Sequence, residues 1–305
     1  MTGRIGLLAL LLLPCLSACG SPPHANAPAT PTGNPGPTVT INLGDRPFKL
    51  HVPRRYNRAT KMPLVVLLHG YTSSAAMAEG YFKLTAESER RGFLYAMPDG
   101  TKDPRGNQFW NATEACCDFS RTGVDDSGYL LRLLDTVKSL YSVDPSRVYF
   151  IGHSNGGFMA YRMACEHATE ITAIVSLAGA AANDPARCTP ARPVSILQIH
   201  GTADRTILFE GGTNDGQPYP SAAATISLWR RLDGCADRAT ASAPPVDLES
   251  ELPGPETTVT TYLTDCRDGT RVELWSIPSG GHVPTLTANF TPAVIDFLLA
   301  RAARR

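Results

Sequence analysis

Net charge is missing from this chain: 28 Lys and Arg stand against 28 Asp and Glu in 305 residues. That balance removes the electrostatic footprint by which proteins grip nucleic acid or anionic lipid, so neither is expected as a partner. The lone basic cluster, Arg301 with Arg304 and Arg305, suits the end of a helix better than a ligand. No Cys-x-x-Cys pair occurs, so the ligand spacing of a structural zinc site is absent. No internal repeat is visible. The longest N-terminal apolar run, residues 5–13, is too short to span a bilayer unaided.

What is present at the N-terminus is an export signal. Arg4 precedes the apolar run, and Leu16-Ser17-Ala18-Cys19 follows it. This segment resembles a bacterial lipobox, which implies cleavage before Cys19 and acylation of its thiol. Each buried methylene of an acyl chain contributes about 0.8 kcal/mol, so several chains on one residue hold a protein at a membrane surface. Residues 19–38 are rich in Pro, Ala, Gly and Thr without periodicity and read as a tether. The division expected is therefore a signal peptide over 1–18, a tether over 19–38 and a catalytic body over 39–305.

Of eight cysteines, Cys15 leaves with the signal and Cys19 is the lipidation site. Cys116, Cys117, Cys165, Cys188, Cys235 and Cys266 remain, and an even number in an exported chain favours disulfides over metal. The pairing preferred is Cys235 with Cys266, the other four pairing among themselves. Adjacent Cys116 and Cys117 are expected to reach different partners. With 43% hydrophobic residues the body can bury an ordinary globular core.

Residues 38–52 alternate as an opening hairpin turning at Gly44-Asp45. The apolar runs 64–68, 93–97, 148–151, 171–178, 194–200 and 272–277 read as strands covered on both faces. Between them, 73–91, 126–141, 155–166, 221–232 and 291–301 read as helices, the second capped by Asp125 or Asp126 and the fourth by Ser221. Alternation of this kind predicts an α/β fold, a doubly wound and mostly parallel sheet whose reactive corners lie beyond the strands' carboxyl ends.

Chemistry-bearing residues fall at those corners. Gly152-His153-Ser154-Asn155-Gly156 joins a strand directly to a helix, and alone G-x-S-x-G is a weak signal. Its glycines suit a corner where strand and helix backbones would otherwise collide. A serine hydroxyl needs a base, and the base an orienting carboxylate; the α/β-hydrolase arrangement supplies them in the order Ser, Asp, His. Asp204 follows the 194–200 strand, with Glu210 as the fallback acid. His282 follows the last strand after Gly280-Gly281 and alone among seven histidines has the required order. The remaining histidines are read as packing or bracing groups. Ser154, Asp204 and His282 are thus the expected triad, with the amides of Asn155 and of Tyr71 or Thr72 as oxyanion donors. Trp110 and Tyr71 are candidates for an aromatic substrate surface, with core packing as the competing role for Trp110.

Leu68-His69-Gly70-Tyr71, Gly152-His153-Ser154-Asn155-Gly156-Gly157, His200-Gly201-Thr202-Ala203-Asp204 and Gly280-Gly281-His282 resemble the polyhydroxybutyrate depolymerase and feruloyl esterase group of carbohydrate esterase family 1. Trp110-Asn111 before Cys116-Cys117, and Val124-Asp125-Asp126, are similar too. The resemblance implies an α/β-hydrolase fold without a large cap domain, and a secreted serine esterase acting on short polyesters or on feruloyl and acetyl esters of polysaccharides. Relatives often carry Trp-Pro after the histidine, where Val283-Pro284-Thr285 stands here. The expectation is a monomeric, lipid-anchored ester hydrolase without metal or organic cofactor. The alternatives are a peptidase of the same fold or a non-catalytic binding lipoprotein.

Overall fold

A computed structural model describes residues 1–3, 36–240 and 243–303. The signal segment, Cys19 and nearly all of the tether lie outside the described residues. The chain divides into two compact units, Met1–Thr30 and Pro31–Arg305. Residues 1–3 of the first carry no regular structure. No helix among the described residues is long and apolar enough to cross a membrane.

The second unit runs β1 (Thr38–Ile41), β2 (Phe48–His51), β3 (Met62–Leu68), α1 (Ala75–Phe82), α2 (Leu84–Arg91), β4 (Leu94–Met97), β5 (Thr101–Lys102), β6 (Gln108–Phe109) and α3 (Asp126–Leu140). It continues with β7 (Val143–His153), α4 (Asn155–Glu166), β8 (Ala173–Leu177), β9 (Ser195–Gly201), β10 (Gly212–Asn214), β11 (Gln217–Tyr219), α5 (Ala222–Leu232), β12 (Thr258–Tyr262), β13 (Val272–Ile277) and α6 (Phe290–Leu299). Nine strands form one sheet in the order β1-β2-β4-β3-β7-β8-β9-β13-β12. Strands β4, β3, β7, β8, β9 and β13 are mutually parallel, and β1, β2 and β12 add antiparallel edges. This is the doubly wound α/β-hydrolase sheet that the alternating pattern predicts.

Period-2 alternation splits each parallel strand between two cores. Leu64, Val66 and Leu68 face the layer holding α3, α4 and α5, whereas Val65 and Leu67 face α1, α2 and α6. All seven residues of β3 are buried, the burial expected of a strand covered on both sides. Helix α3 starts where Asp125 accepts the Gly128 N–H at 2.8 Å, and buries Leu130, Leu133, Leu134 and Val137. Ser221 caps α5 by accepting from the Ala224 N–H at 3.0 Å.

The structure departs from the sequence reading in four places. Segment 73–91 is two helices, because Lys83 turns left-handed (φ 55°) and the Glu79 carboxylate accepts the Leu84 and Thr85 amides at 3.1 and 3.0 Å, capping a new start. Strand β12 lies in a stretch not assigned from sequence. Gly36 and Pro37 belong to the body: the Gly36 N–H donates to Glu89 at 2.6 Å, and Pro37 accepts from Val52 at 3.0 Å. Finally, Cys116 and Cys117 bond to each other instead of to separate partners. Cys165 and Cys188 meet at a Cα separation of 5.3 Å and Cys235 pairs with Cys266, so the adjacent pair has no third thiol within the body.

Candidate active site

Ser154 sits between the end of β7 and the start of α4 with φ 52° and ψ −119°, a backbone region that a side chain adopts only under strain. Two hydrogen bonds hold the corner: Ser154 N–H to Leu177 O at 2.8 Å and Phe158 N–H to Ser154 O at 3.0 Å. Its glycines are there for space. A Cβ on Gly152 would lie 2.0 Å from the Gly156 carbonyl oxygen, and one on Gly156 would lie 2.1 Å from that of Leu68. Strand, helix and the loop after β3 therefore touch backbone to backbone at the serine.

The Ser154 hydroxyl donates to His282 Nε2 at 2.9 Å, and His282 Nδ1 donates to Asp204 Oδ2 at 2.7 Å. The acid-bearing and imidazole-bearing loops are stitched together beneath this line. Thr202 N–H donates to Ile277 O, Ala203 N–H donates to Gly280 O, and a Cβ on Gly201 would lie 2.2 Å from the Gly280 carbonyl oxygen.

The Asp204 side chain is fully buried. Its Oδ1 accepts the Thr206 and Ile207 amides at 2.8 and 2.9 Å. Burial alone would raise the carboxyl, but hydrogen bonds from His200 and His282, the His282 charge and the Thr206 amide together outweigh it. The group is held well below the usual carboxylate range and stays ionised at any working pH. The acid that meets the imidazole is Asp204 and not the fallback, Glu210. His200 braces the loop as expected, donating from Nε2 to Ile207 O at 2.8 Å. Half-buried His153 donates from Nε2 to the His282 carbonyl at 2.9 Å, with the two rings 5.0 Å apart. Its burial, and then the charge on His282, push its pKa down to about 4.

Next to the serine, the loop after β3 carries the other predicted donors. A Cβ on Gly70 would approach Ser154 Cβ at 3.5 Å, so this loop rests on the corner. The Thr72 amide is already committed to Gln108 O at 2.9 Å, which leaves Tyr71 of the two. The Tyr71 hydroxyl donates to Asp103 at 2.9 Å, and its ring meets Phe119 edge-on at 5.2 Å. Trp110 does not line the rim: it is fully buried, with its indole N–H donating to His69 O at 3.0 Å. The aromatic surface expected of it is corrected to core packing, because its only polar atom is satisfied inside the fold.

Two bracing roles escaped the sequence reading, which named Asn155 only for its amide and Asp126 only as a helix cap. The Asn155 side chain accepts the Trp110 N–H at 2.7 Å and donates to the Trp110 carbonyl at 2.8 Å. Buried Asp126 pairs with Arg46 at 2.6 Å and accepts the Asn111 amide at 2.7 Å. Only the proximity of Asn155 to the serine and the Val124-Asp125-Asp126 run pointed toward them. Among the described residues, no group of three or more His, Cys, Asp and Glu side chains converges as metal ligands.

Sheet topology and this corner define an α/β-hydrolase, and the chain belongs to the phospholipase/carboxylesterase family, whose model matches residues 56–221. It is a serine carboxylic-ester hydrolase. Among curated proteins it is similar to NocK of Nocardia uniformis subsp. tsuyamanensis, provisionally named an esterase: 28% identity over 331 residues, covering 97% of this chain and 93% of that protein. It is also 28% identical over 228 residues to feruloyl esterase B of Piromyces equi, covering 72% of this chain but 39% of that protein. Among solved structures, acetyl xylan esterase from Aspergillus awamori superposes with a TM-score of 0.62 at 16% identity. That match covers 86% of this chain and 99% of the other, and is a likeness of fold. The relatives agree with the resemblance that the motifs carry.

Proposed function

We propose that this chain is an exported, lipid-anchored serine esterase in which Ser154 is the nucleophile, His282 the general base and then acid, and Asp204 the orienting carboxylate. The single observation that supports it most is the unbroken line from Ser154 Oγ through both His282 nitrogens to Asp204, at 2.9 and 2.7 Å. In this reading His282 Nε2 takes the hydroxyl proton as Ser154 attacks the ester carbonyl. The amides of Asn155 and Tyr71 receive the oxyanion, aided by the positive end of α4. His282 returns the proton to the departing alcohol, and water then releases the acyl group by the same route. Ionised Asp204 stabilises the imidazolium without becoming protonated. His153 holds the loop of His282 by its carbonyl while staying neutral.

The substrates proposed are carboxylic esters, either short polyesters or feruloyl and acetyl groups on polysaccharides. The lipobox-like Leu16-Ser17-Ala18-Cys19 supports anchoring through Cys19, with 19–38 as the tether and the body beyond it. Three disulfides in the body support an oxidising compartment.

Hydrolysis of p-nitrophenyl acetate and butyrate tests the chemistry. Ser154→Ala is expected to lower kcat by about 10⁴-fold or more, leaving only binding and the oxyanion donors. Wild type no faster than this variant would refute the esterase mechanism and leave a binding lipoprotein. Metabolic labelling with a fatty-acid analogue, lost in Cys19→Ser, tests the anchor.

A further inference from the structure

Strand β9 lies between β8 and β13, and all seven of its residues are buried. Ile196 on one face, with Leu197 and Ile199 on the other, are the apolar residues that such a strand should carry. Gln198 and His200 are not. They alternate onto the face of Ile196, which packs against the layer of α4, and both are buried. A polar side chain at that depth is costly unless its donors and acceptors are met. Theirs are met by a chain of contacts that ends on Asp204.

The chain has a fixed direction. The Gly179 carbonyl can only accept, and it takes the Gln198 Nε2–H at 2.8 Å, which settles which end of the amide is nitrogen. Gln198 Oε1 accepts the Tyr161 hydroxyl, from α4, at 2.8 Å. The second hydrogen on Gln198 Nε2 faces His200 Nδ1 at 3.1 Å, so this ring nitrogen is the acceptor and the ring proton sits on Nε2. The other side of the ring agrees, since the Ile207 carbonyl, also an acceptor only, takes the His200 Nε2–H at 2.8 Å. The same nitrogen stands 3.3 Å from Asp204 Oδ2, the oxygen that accepts from His282 Nδ1 at 2.7 Å. Two imidazoles, one at the end of β9 and one after β13, therefore converge on one carboxylate oxygen.

Bracing alone does not require this convergence. The loop is closed without the ring, because Asp204 Oδ1 takes the Thr206 and Ile207 amides and the Ala203 N–H reaches the Gly280 carbonyl. What His200 adds falls on Oδ2. Burial would raise the Asp204 carboxyl, and among the groups that reverse this His200 stands first, ahead of His282. We infer that Gln198 and His200 are positioning residues for the proposed triad: Gln198 fixes the imidazole tautomer, and His200 thereby keeps Asp204 Oδ2 in line with His282 and takes up part of its charge. Tyr161 anchors the far end of the chain. The inference rests on the triad reading above and extends it inward. Without the His200 N–H, the full charge of Oδ2 would act on His282, which would then hold its proton more tightly.

A pH profile separates this role from bracing. On p-nitrophenyl butyrate between about pH 5 and 9, the acid limb of kcat/KM is where His282 takes up a proton and ceases to be a base. The titratable groups facing Asp204 are His200, His282 and, through charge, His153, which burial pushes down to about 4, outside that range. His200→Phe keeps a ring of similar size without its nitrogens. It is expected to move the limb upward by about half a pH unit and to lower kcat about tenfold. His200→Gln returns an N–H near the Nε2 position and is expected to recover most of both changes. Gln198→Met removes the tautomer lock while keeping the bulk, and a smaller shift in the same direction is expected. An unmoved limb in active His200→Phe, or His200→Gln no better than His200→Phe, would overturn the inference, because bracing alone lowers activity equally at every pH. Nitrogen NMR of histidine-labelled wild type needs no substitution and so survives a variant that fails to fold. It is expected to show His200 as the Nε2–H tautomer, and the Nδ1–H tautomer would overturn the inference as well. Wild type no faster than Ser154→Ala is a different failure: it would sink the triad itself, and the positioning role with it.

Discussion

The nucleophile corner and the long β4–α3 connection flank the same serine but are held by opposite means. At the corner, backbones touch, and Gly152 and Gly156 are required because any side chain would overlap a carbonyl oxygen. The connection is held at a distance by polar clamps: Asn155 on the Trp110 backbone, Trp110 on His69 O, Asp126 on Asn111, and Asp103 on Tyr71. These clamps form a path from Asn155 through Trp110 to the loop after β3, joining the two residues whose amides are proposed to receive the oxyanion. Contact packing makes a corner that cannot be adjusted. Clamping makes a wall whose position depends on single side chains.

The largest break in this comparison is Gly152→Ala. The new methyl would meet the Gly156 carbonyl at 2.0 Å, with backbone on both sides and nothing flexible to give way. A loss of about 3 kcal/mol of stability is expected, from overpacking at a site that cannot relax. Displacing the serine by about 1 Å would lower kcat/KM roughly 100-fold in whatever protein still folds. Urea denaturation and p-nitrophenyl butyrate kinetics measure both, and a fully active, stable variant would contradict the contact-packed corner.

Asn155→Ala tests the clamp without touching the catalytic amide, which belongs to the backbone. It leaves the buried Trp110 N–H without its acceptor, at about 1–3 kcal/mol. Activity is expected to fall about tenfold as the Trp110 and His69 segment loosens. Restored activity in Asn155→Asp would be partial, since a carboxylate replaces only the acceptor half.

This contrast also explains what could be read ahead of the structure. Ser154, Asp204 and His282, strand 272–277 and the bracing role of His200 are all written in short motifs whose constraint is local: a corner, a strand end, a glycine-introduced loop. The burial of Trp110 depends on Asn155, forty-five residues away, and the break at Lys83 depends on where Glu79 and Tyr95 meet. The Cys116–Cys117 bond follows from Cys165 finding Cys188. Such pairings are properties of the assembled fold, and no window of sequence contains them.

A pH titration sharpens the corner's side of the comparison. Burial there holds His153 near 4, below the value of about 6.5 it has in an unfolded chain. Between those values the unfolded state binds the extra proton, so stability is complete above about 6.5 and declines as pH falls toward 4. His69, also lowered first by burial, acts in the same direction. His153→Gln keeps a donor for the His282 carbonyl without the ionisation. The slope of its urea midpoint between pH 6.5 and 4 is expected to be shallower than that of wild type by up to one proton.

The smallest effect comes from the wall, and its smallness is the point. Gly106 in the β5–β6 turn has φ 84°, yet a Cβ built there meets nothing within 4 Å. Gly106→Ala therefore adds conformational strain without collision, at about 1 kcal/mol, or about 2 °C in Tm for a chain of this size. The turn it strains is pinned by Asp103, which accepts the Arg105 and Asn107 amides at 2.9 and 2.8 Å as well as the Tyr71 hydroxyl. If clamps of this kind position the wall, the turn yields locally and kcat/KM stays within about twofold of wild type. A glycine substitution with open space around it that nonetheless cut activity as deeply as Gly152→Ala would mean that the wall, like the corner, is set by the backbone rather than by its side chains.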